Sequence, residues 1–246
     1  MKLIRDALII AYMKSIPDLK RQPGIIILLT AIAAIPLFFM VLFGGTGMLN
    51  MGLVGVIVST IGFMGIAAPI QDVTWDRYVK LREMIVAMPV HPLSYALGVN
   101  LASLIFALPG SLIFLGIGIV RGLFTLLSLL ATLGVIVLCW LCLSVMGFAI
   151  ATYLYRTAPS TLGLIANILA FGFVFLPPVY YSETMLGPYA WVGYLLPTSN
   201  AAAVIRYVTG INPMNPGALA AHWLVIAMMA VAFSALAVAK ARWRET

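Results

Sequence analysis

The chain has 246 residues, 63% of them hydrophobic and 9% charged, with a mean hydropathy of +1.12 and a net charge of +7. Soluble domains run to about 45–50% apolar and about 25% charged, so this composition excludes a water-soluble globular protein and predicts an all-α integral membrane protein of one domain, residues 1–246. The basic residues lie between apolar runs rather than on a patch of their own, which points to charge retained at a membrane face and away from nucleic acid.

Residues 2–20, KLIRDALIIAYMKSIPDLK, place Leu3, Ile4, Ala7, Leu8, Ala11 and Tyr12 on one helical face, with Lys2, Arg5, Asp6 and Lys14 over much of the remainder. Lys14 interrupts the apolar core that a signal peptide would need. The pattern predicts an amphipathic interfacial helix within 1–21, ending near Pro17. Spans follow at about 24–44, kinked at Pro36, and 51–71, joined by an uncharged glycine-rich turn.

The segment 72–92, DVTWDRYVKLREMIVAMPVHP, carries the only internal cluster of charge: Asp72, Asp76, Arg77, Lys80, Arg82 and Glu83. No formal charge occurs between Arg21 and Asp72, or between Glu83 and Arg121. A charge at the bilayer centre costs at least ~2.5–3.5 kcal/mol, so this segment is expected at a membrane face. Tyr78, Leu81, Ile85 and Met88 fall on one helix face. Asp76 and Lys80 form a favourable i,i+4 pair, Asp72 or Thr74 offers an N-cap, and Pro89 and Pro92 end the pattern. The local pattern leaves two readings open, a helix resting on lipid headgroups and a docking element for a soluble partner.

Further spans are expected at about 94–119, 124–152, 159–178 and 218–239. Between the last two, residues 179–216 hold short segments at 190–196 and 200–208 separated by Pro197, too short to cross, and read as re-entrant pieces. Charge fixes the orientation: with both termini cytoplasmic, twelve of the fourteen Lys/Arg lie inside and only Arg121 and Arg206 lie outside, as the positive-inside rule requires. Six spans in the plasma membrane are expected.

Catalytic signatures are missing. There is no HExxH, GxSxG or GxxxxGK[ST] pattern. His91 and His222 lie far apart and read as interfacial histidines, and Cys139 and Cys142 as two small buried thiols. None of the six spans carries an ionisable residue at its middle, which coupling to an ion gradient would call for. Asn100 and Asn167 read as helix–helix hydrogen-bonding amides. No cofactor is expected on this chain, and the energy source is expected on another polypeptide.

At this point the chain resembles the permease subunit of type-2 ATP-binding cassette exporters. The residues that carry the resemblance are the amphipathic start, the loop LREMIVAMPVHPLSYALG, and YLLPTSNAAAVIRYVTG before the last span, with Leu196, Pro197, Arg206 and Gly210. The loop departs from the family's Glu-x-Gly-Thr-Leu-Glu form, having Glu83-Met84-Ile85-Val86. The resemblance implies a dimeric pore, two copies of this chain or one with a paralogue, above separate ATPase subunits that bind ATP and Mg. Asp76, Arg77, Lys80, Leu81, Arg82 and Glu83 would then couple to the ATPase. Glu183, Pro197 and Arg206 would belong to an extracellular lid. Phe63, Met64, Asn167, Phe171 and Phe175 would line the path of a hydrophobic or amphipathic substrate such as a drug, lipid or lipid-linked glycan. A secondary transporter or channel is the alternative, and a lipid-modifying membrane enzyme a more distant one.

Overall fold

The structure, a computed structural model, describes residues 2–79 and 90–240, without the side chains of Ile25, Ile26, Leu28, Leu29 and Lys240. Among the described residues it is all helical: α1 (Lys2–Arg21), α2 (Gly24–Gly44), α3 (Leu49–Tyr78), α4 (Pro92–Val120), α5 (Leu126–Tyr153), α6 (Pro159–Phe175), α7 (Pro197–Val208) and α8 (Pro216–Lys240). Proline opens α4, α6 and α7, where a fixed φ helps and the missing N–H has no helical partner to lose.

Among the described residues, four helical stretches are long and apolar enough to cross a membrane: Thr46–Tyr78, Pro92–Val120, Leu126–Tyr153 and Pro216–Ala239. The other two expected spans fall on shorter apolar helices, Thr30–Gly44 within α2 and the 17-residue α6. At 1.5 Å per residue, α6 reaches only the low end of what a bilayer core requires, about 17–25 residues.

Helices α2 to α6 alternate in direction. Gly52 of α3 lies against Leu37 of α2; on the α4 side, Thr60 meets Gly110 and Asp76 meets Tyr95. Gly62 meets Val174 of α6. The end of α8 at Val238 comes back beside His91 and Pro92, the same end of the bundle at which Lys14 of α1 meets Asp76.

Helix α3 is the hub. It packs on α2, α4, α5, α6 and α7, and 83% of its most apolar window is buried, against 22% for α8. Leu53, Ile57, Ile61, Ile66 and Ile70 are fully enclosed. The α3–α5 contact is tight at Gly147, where a Cβ would stand 2.5 Å from the Ile66 carbonyl oxygen. Backbone meets backbone there, the small-residue mode by which membrane helices approach.

Three boundaries differ from expectation. Residues 72–78 are the last turns of α3 rather than the start of a separate helix: the Thr74 hydroxyl donates back to the Ile70 carbonyl at 2.6 Å instead of capping. Helix α1 continues through Pro17 to Arg21, since one lost backbone bond does not end a helix whose last turn holds Lys20 and Arg21, cations the helix dipole favours. The segment expected to be helical at 190–196 belongs to 3₁₀ turns across Glu183–Leu195, broken at Gly187 (φ 52°, ψ −120°) beside Pro188.

Helix α1 is amphipathic, with a division of faces that the pattern did not show. Ala7, Ala11 and Ser15 form a buried small-residue face, and α1 packs closely on α4, where the Ser94 hydroxyl donates to the Leu3 carbonyl at 3.1 Å. Ile4, Leu8 and Tyr12 form a separate exposed stripe.

Candidate functional site

A cavity lies between α2, α3, α4 and α6, closed on one side by Tyr180 of the segment after α6. The expected path residues Phe63, Met64, Phe171 and Phe175 all line it. Phe63 and Phe171 meet edge to face at 5.3 Å, Phe171 stacks on Phe175 at 5.5 Å, and Phe175 stacks on Tyr180 at 5.9 Å. The geometry follows from register: Phe171 and Phe175 are one turn apart on α6 and face the turn of α3 that holds Phe63. Polar groups are few. Thr60 donates back to the Val56 carbonyl at 2.8 Å, and the Ser59 hydroxyl is paired with the Tyr180 hydroxyl.

The cavity holds about 50 Å³. A single water needs ~10–15 Å³ on the same scale, and small-molecule sites run to ~300–1,000 Å³. In this conformation the site admits a few waters and no drug- or lipid-sized molecule. Asn167 does not join it: its side chain is exposed on α6, so a bonding role between helices is corrected for that residue. Asn100 is buried as expected, but its side-chain oxygen has no partner among the described residues.

The second constellation gathers the segment between α6 and α8. Arg206 is 1% exposed, and its guanidinium donates to the carbonyls of Pro178 (2.7 Å), Val179 (3.5 Å) and Tyr181. Burial pulls its pKa down to about 10, against a raising contribution from Glu183, which leaves it charged at neutral pH. Three carbonyls that follow α6 are thus tied to the last turn of α7. Just beyond, Gly210 takes φ +72°, Ile211 N–H reaches the Arg206 carbonyl at 2.9 Å and Gly210 N–H the Tyr207 carbonyl at 3.0 Å. This is a Schellman ending, which needs a left-handed residue at that position, and it accounts physically for the Arg–Gly part of the sequence signature.

His222, at 0% exposure, sits inside this constellation, which corrects its reading as an interfacial residue. Asn200 fixes its orientation. The Asn200 amide nitrogen donates to the Tyr194 and Leu196 carbonyls at 3.1 and 2.8 Å, so its oxygen faces His222 Nδ1 at 2.8 Å and accepts from it. The other ring nitrogen lies 3.4 Å from Glu183 Oε2, and Tyr194 stacks on the ring at 4.2 Å. Glu183 and Arg206 are thus near enough to interact electrostatically, Pro197 is the first residue of α7, and Asn200 and His222 are members that the sequence reading missed. A lone histidine in an otherwise apolar helix was the available signal.

The third constellation lies at the opposite end. Lys14 Nζ is 2.7 and 2.6 Å from the two Asp76 oxygens, and the Tyr95 hydroxyl donates to Oδ2 at 2.6 Å. Arg77 donates to the Ala151 carbonyl at 2.9 Å, near the end of α5. Of the six residues expected to meet an ATPase, Asp76 and Arg77 face inward onto this protein's own helices. Lys14 neutralises Asp76, and one arm of the half-buried Arg77 guanidinium is held at the α5 terminus. Lys80, Leu81, Arg82 and Glu83, with the rest of the expected loop helix to Met88, lie outside the described residues.

No family model, curated protein or solved structure matches this chain. What the fold defines, among the described residues, is an all-helical arrangement with four helices long and apolar enough to cross a membrane, compatible with a membrane location.

Proposed function

We propose that this chain is the membrane-spanning permease subunit of an exporter of the type-2 ATP-binding cassette kind, with six passes through the plasma membrane and both termini cytoplasmic. A second copy or a paralogue completes the pore, and a separate ATPase subunit supplies ATP and Mg. The substrate is hydrophobic or amphipathic, because the candidate path between α3 and α6 is walled by aromatic rings with a few hydroxyls and no charge. The alternating directions of α2 to α6, and the shared end of Lys14, Asp76, His91 and Val238, support the six-pass topology.

The observation that carries the reading is the aromatic-walled cavity. It is too small for cargo as it stands, so transport requires α3 and α6 to separate, and no group on the described residues supplies energy for that. An external motor acting at the Asp76 end fits this need. The test is ATP-driven export of a fluorescent hydrophobic substrate from proteoliposomes, with and without a separate ATP-binding cassette ATPase subunit that co-purifies with the chain. Export that needs the ATPase and stops with its phosphate-binding lysine substituted is the expected result. Export without it rejects the reading.

A second reading, proton-coupled secondary transport, draws on the pairing of buried His222 with half-buried Glu183, an ionisable couple that the span pattern did not reveal. Flux driven by a pH gradient in the purified chain alone would favour it.

A further inference from the structure

A second recess lies apart from the aromatic cavity, between α4, α5 and α8. It holds about 430 Å³ and is lined by Leu97, Asn100, Leu141, Phe148, Ser234 and Val238, among others. That volume falls within the range of small-molecule sites, ~300–1,000 Å³. Helices α4 and α8 both pack on α5 but scarcely touch each other, so the groove stays open along one flank. Leu97 and Val238 are exposed on that flank. With α4, α5 and α8 across a membrane, the opening faces hydrocarbon rather than water.

Two features of the wall restrict the occupant. The first is charge: no Asp, Glu, Lys or Arg stands among the described residues that line the groove, and His91 Nδ1, at its end, already accepts the Leu93 N–H at 3.2 Å. An ionic group drawn in against such a wall would lose its hydration without gaining a partner, so the wall suits a neutral molecule. The second is Asn100. It is 4% exposed, and its side-chain oxygen has no hydrogen-bond partner among the described residues. An acceptor buried among apolar side chains and left unpaired is unfavourable, and a donor on a bound molecule relieves it. Depth narrows the choice further. Helix α4 has 29 residues, which makes it about 43 Å long. Centred on a hydrocarbon core of about 30 Å, it projects about 6 Å on either side. Asn100 stands about 12 Å from the helix start and so lies within the hydrocarbon. Phospholipids keep their charged headgroups at the surface, whereas a lipid whose head is a single hydroxyl can carry it this deep.

We propose that this groove binds a neutral membrane lipid with one free hydroxyl, of the diacylglycerol class. Its hydroxyl pairs with the Asn100 amide, donating to the oxygen. One acyl chain lies along Leu97, Leu141 and Phe148, and the other leaves through the open flank. The site lies away from the aromatic cavity and rests on the membrane location alone, not on whether the chain transports anything.

The test uses the full chain in phosphatidylcholine nanodiscs and three lipids that carry the same photoreactive acyl chain: a 1,2-diacylglycerol, its 3-O-methyl ether and the matching phosphatidate. Labelled positions are mapped by peptide mass spectrometry. The diacylglycerol is expected to label α4 and α8 saturably at the groove. The ether should bind about fivefold more weakly, the worth of one hydrogen bond. The phosphatidate should also bind more weakly, because its charge meets no partner on the wall. Ala96→Trp, which fills the groove, should remove the saturable labelling, and Asn100→Leu should remove the preference for the free hydroxyl. Labelling that is absent from the groove or does not saturate would show bulk lipid contact only, and labelling of α3 and α6 instead would place the lipid in the aromatic cavity. Either result overturns the proposal, as would equal labelling by hydroxyl and ether, labelling by the phosphatidate as strong as by the diacylglycerol, or labelling undiminished by Ala96→Trp. The comparison of the three lipids needs no variant, so it decides the matter even if Asn100→Leu fails to fold.

Discussion

Lys14 and Asp76, 62 residues apart in sequence, form a two-point ion pair whose side chains are 12% and 5% exposed. The pair joins α1 to the end of α3, and the Tyr95 hydroxyl adds α4 to the same carboxylate. Removing one partner of a buried pair leaves the other charge uncompensated, at about 3–5 kcal/mol, whereas replacing both with apolar residues is often near neutral. Asp76→Asn should therefore lower thermal stability in detergent sharply, and Lys14→Met with Asp76→Leu should recover most of the loss. Equal stability of the single and double variants would show that the pair is not what holds α1 in place.

Arg206 holds three consecutive-region carbonyls with one planar fork, a geometry that an ammonium cannot reproduce. Arg206→Lys keeps the charge and loses at least one of these bonds. Hydrogen bonds to charged groups contribute about 1.5–3 kcal/mol each, so a loss of about 2–3 kcal/mol is expected. Local release should be visible as faster protease cleavage within residues 176–196, with cleavage elsewhere unchanged.

Two glycines of similar sequence context should respond in opposite ways. A Cβ at Gly147 meets the Ile66 carbonyl, a backbone atom that cannot swing aside, while a Cβ at Gly116 of α4 meets nothing within 4 Å. Gly147→Ala should destabilise by about 1–3 kcal/mol, the usual cost of forced overpacking. Gly116→Ala should be neutral or slightly favourable, because alanine loses less backbone freedom in a helix. Thermal unfolding of both variants, measured side by side, checks this.

Phe171 is 46% exposed yet touches Phe63 and Phe175 inside the aromatic cavity. Phe171→Ala should leave folding close to unaltered, since the ring is only half buried, and should enlarge the path. Under the permease reading, the rate for bulky apolar substrates should change by several-fold while that for small ones changes less. An identical effect on all substrates would place Phe171 outside the path.

Much of the architecture was legible because prolines and glycines punctuate it. Pro159 begins a helix where the sequence suggested, Pro92 and Pro197, read as a stop and a separator, also begin helices, and α2 occupies the 24–44 stretch expected of it. Phe63, Met64, Phe171 and Phe175, named together only through the family resemblance, line one cavity, while Asn167 does not. What escaped was long-range charge compensation. Asp72 and Asp76 looked like the start of a surface helix because local pattern cannot see Lys14, and that partner lets α3 carry a carboxylate at its buried end. His222 escaped for the same reason: Asn200 and Glu183 are adjacent to it only after the segment following α6 has folded back.

The burial of α3 on all sides also bears on how the protein is made. Helices leave the ribosome in order, and α3 is complete before any of α4, α5, α6 or α7 exists. At that stage the only described helices available to it are α1 and α2. Lys14 is already present to meet Asp76, but Tyr95 is not, and the surfaces of Ile57, Ile61 and Ile66 that later face other helices are not yet covered by them. The hub of the finished bundle thus acquires most of its neighbours only after its own synthesis, with one ion pair and one neighbouring helix available to it before α4 emerges.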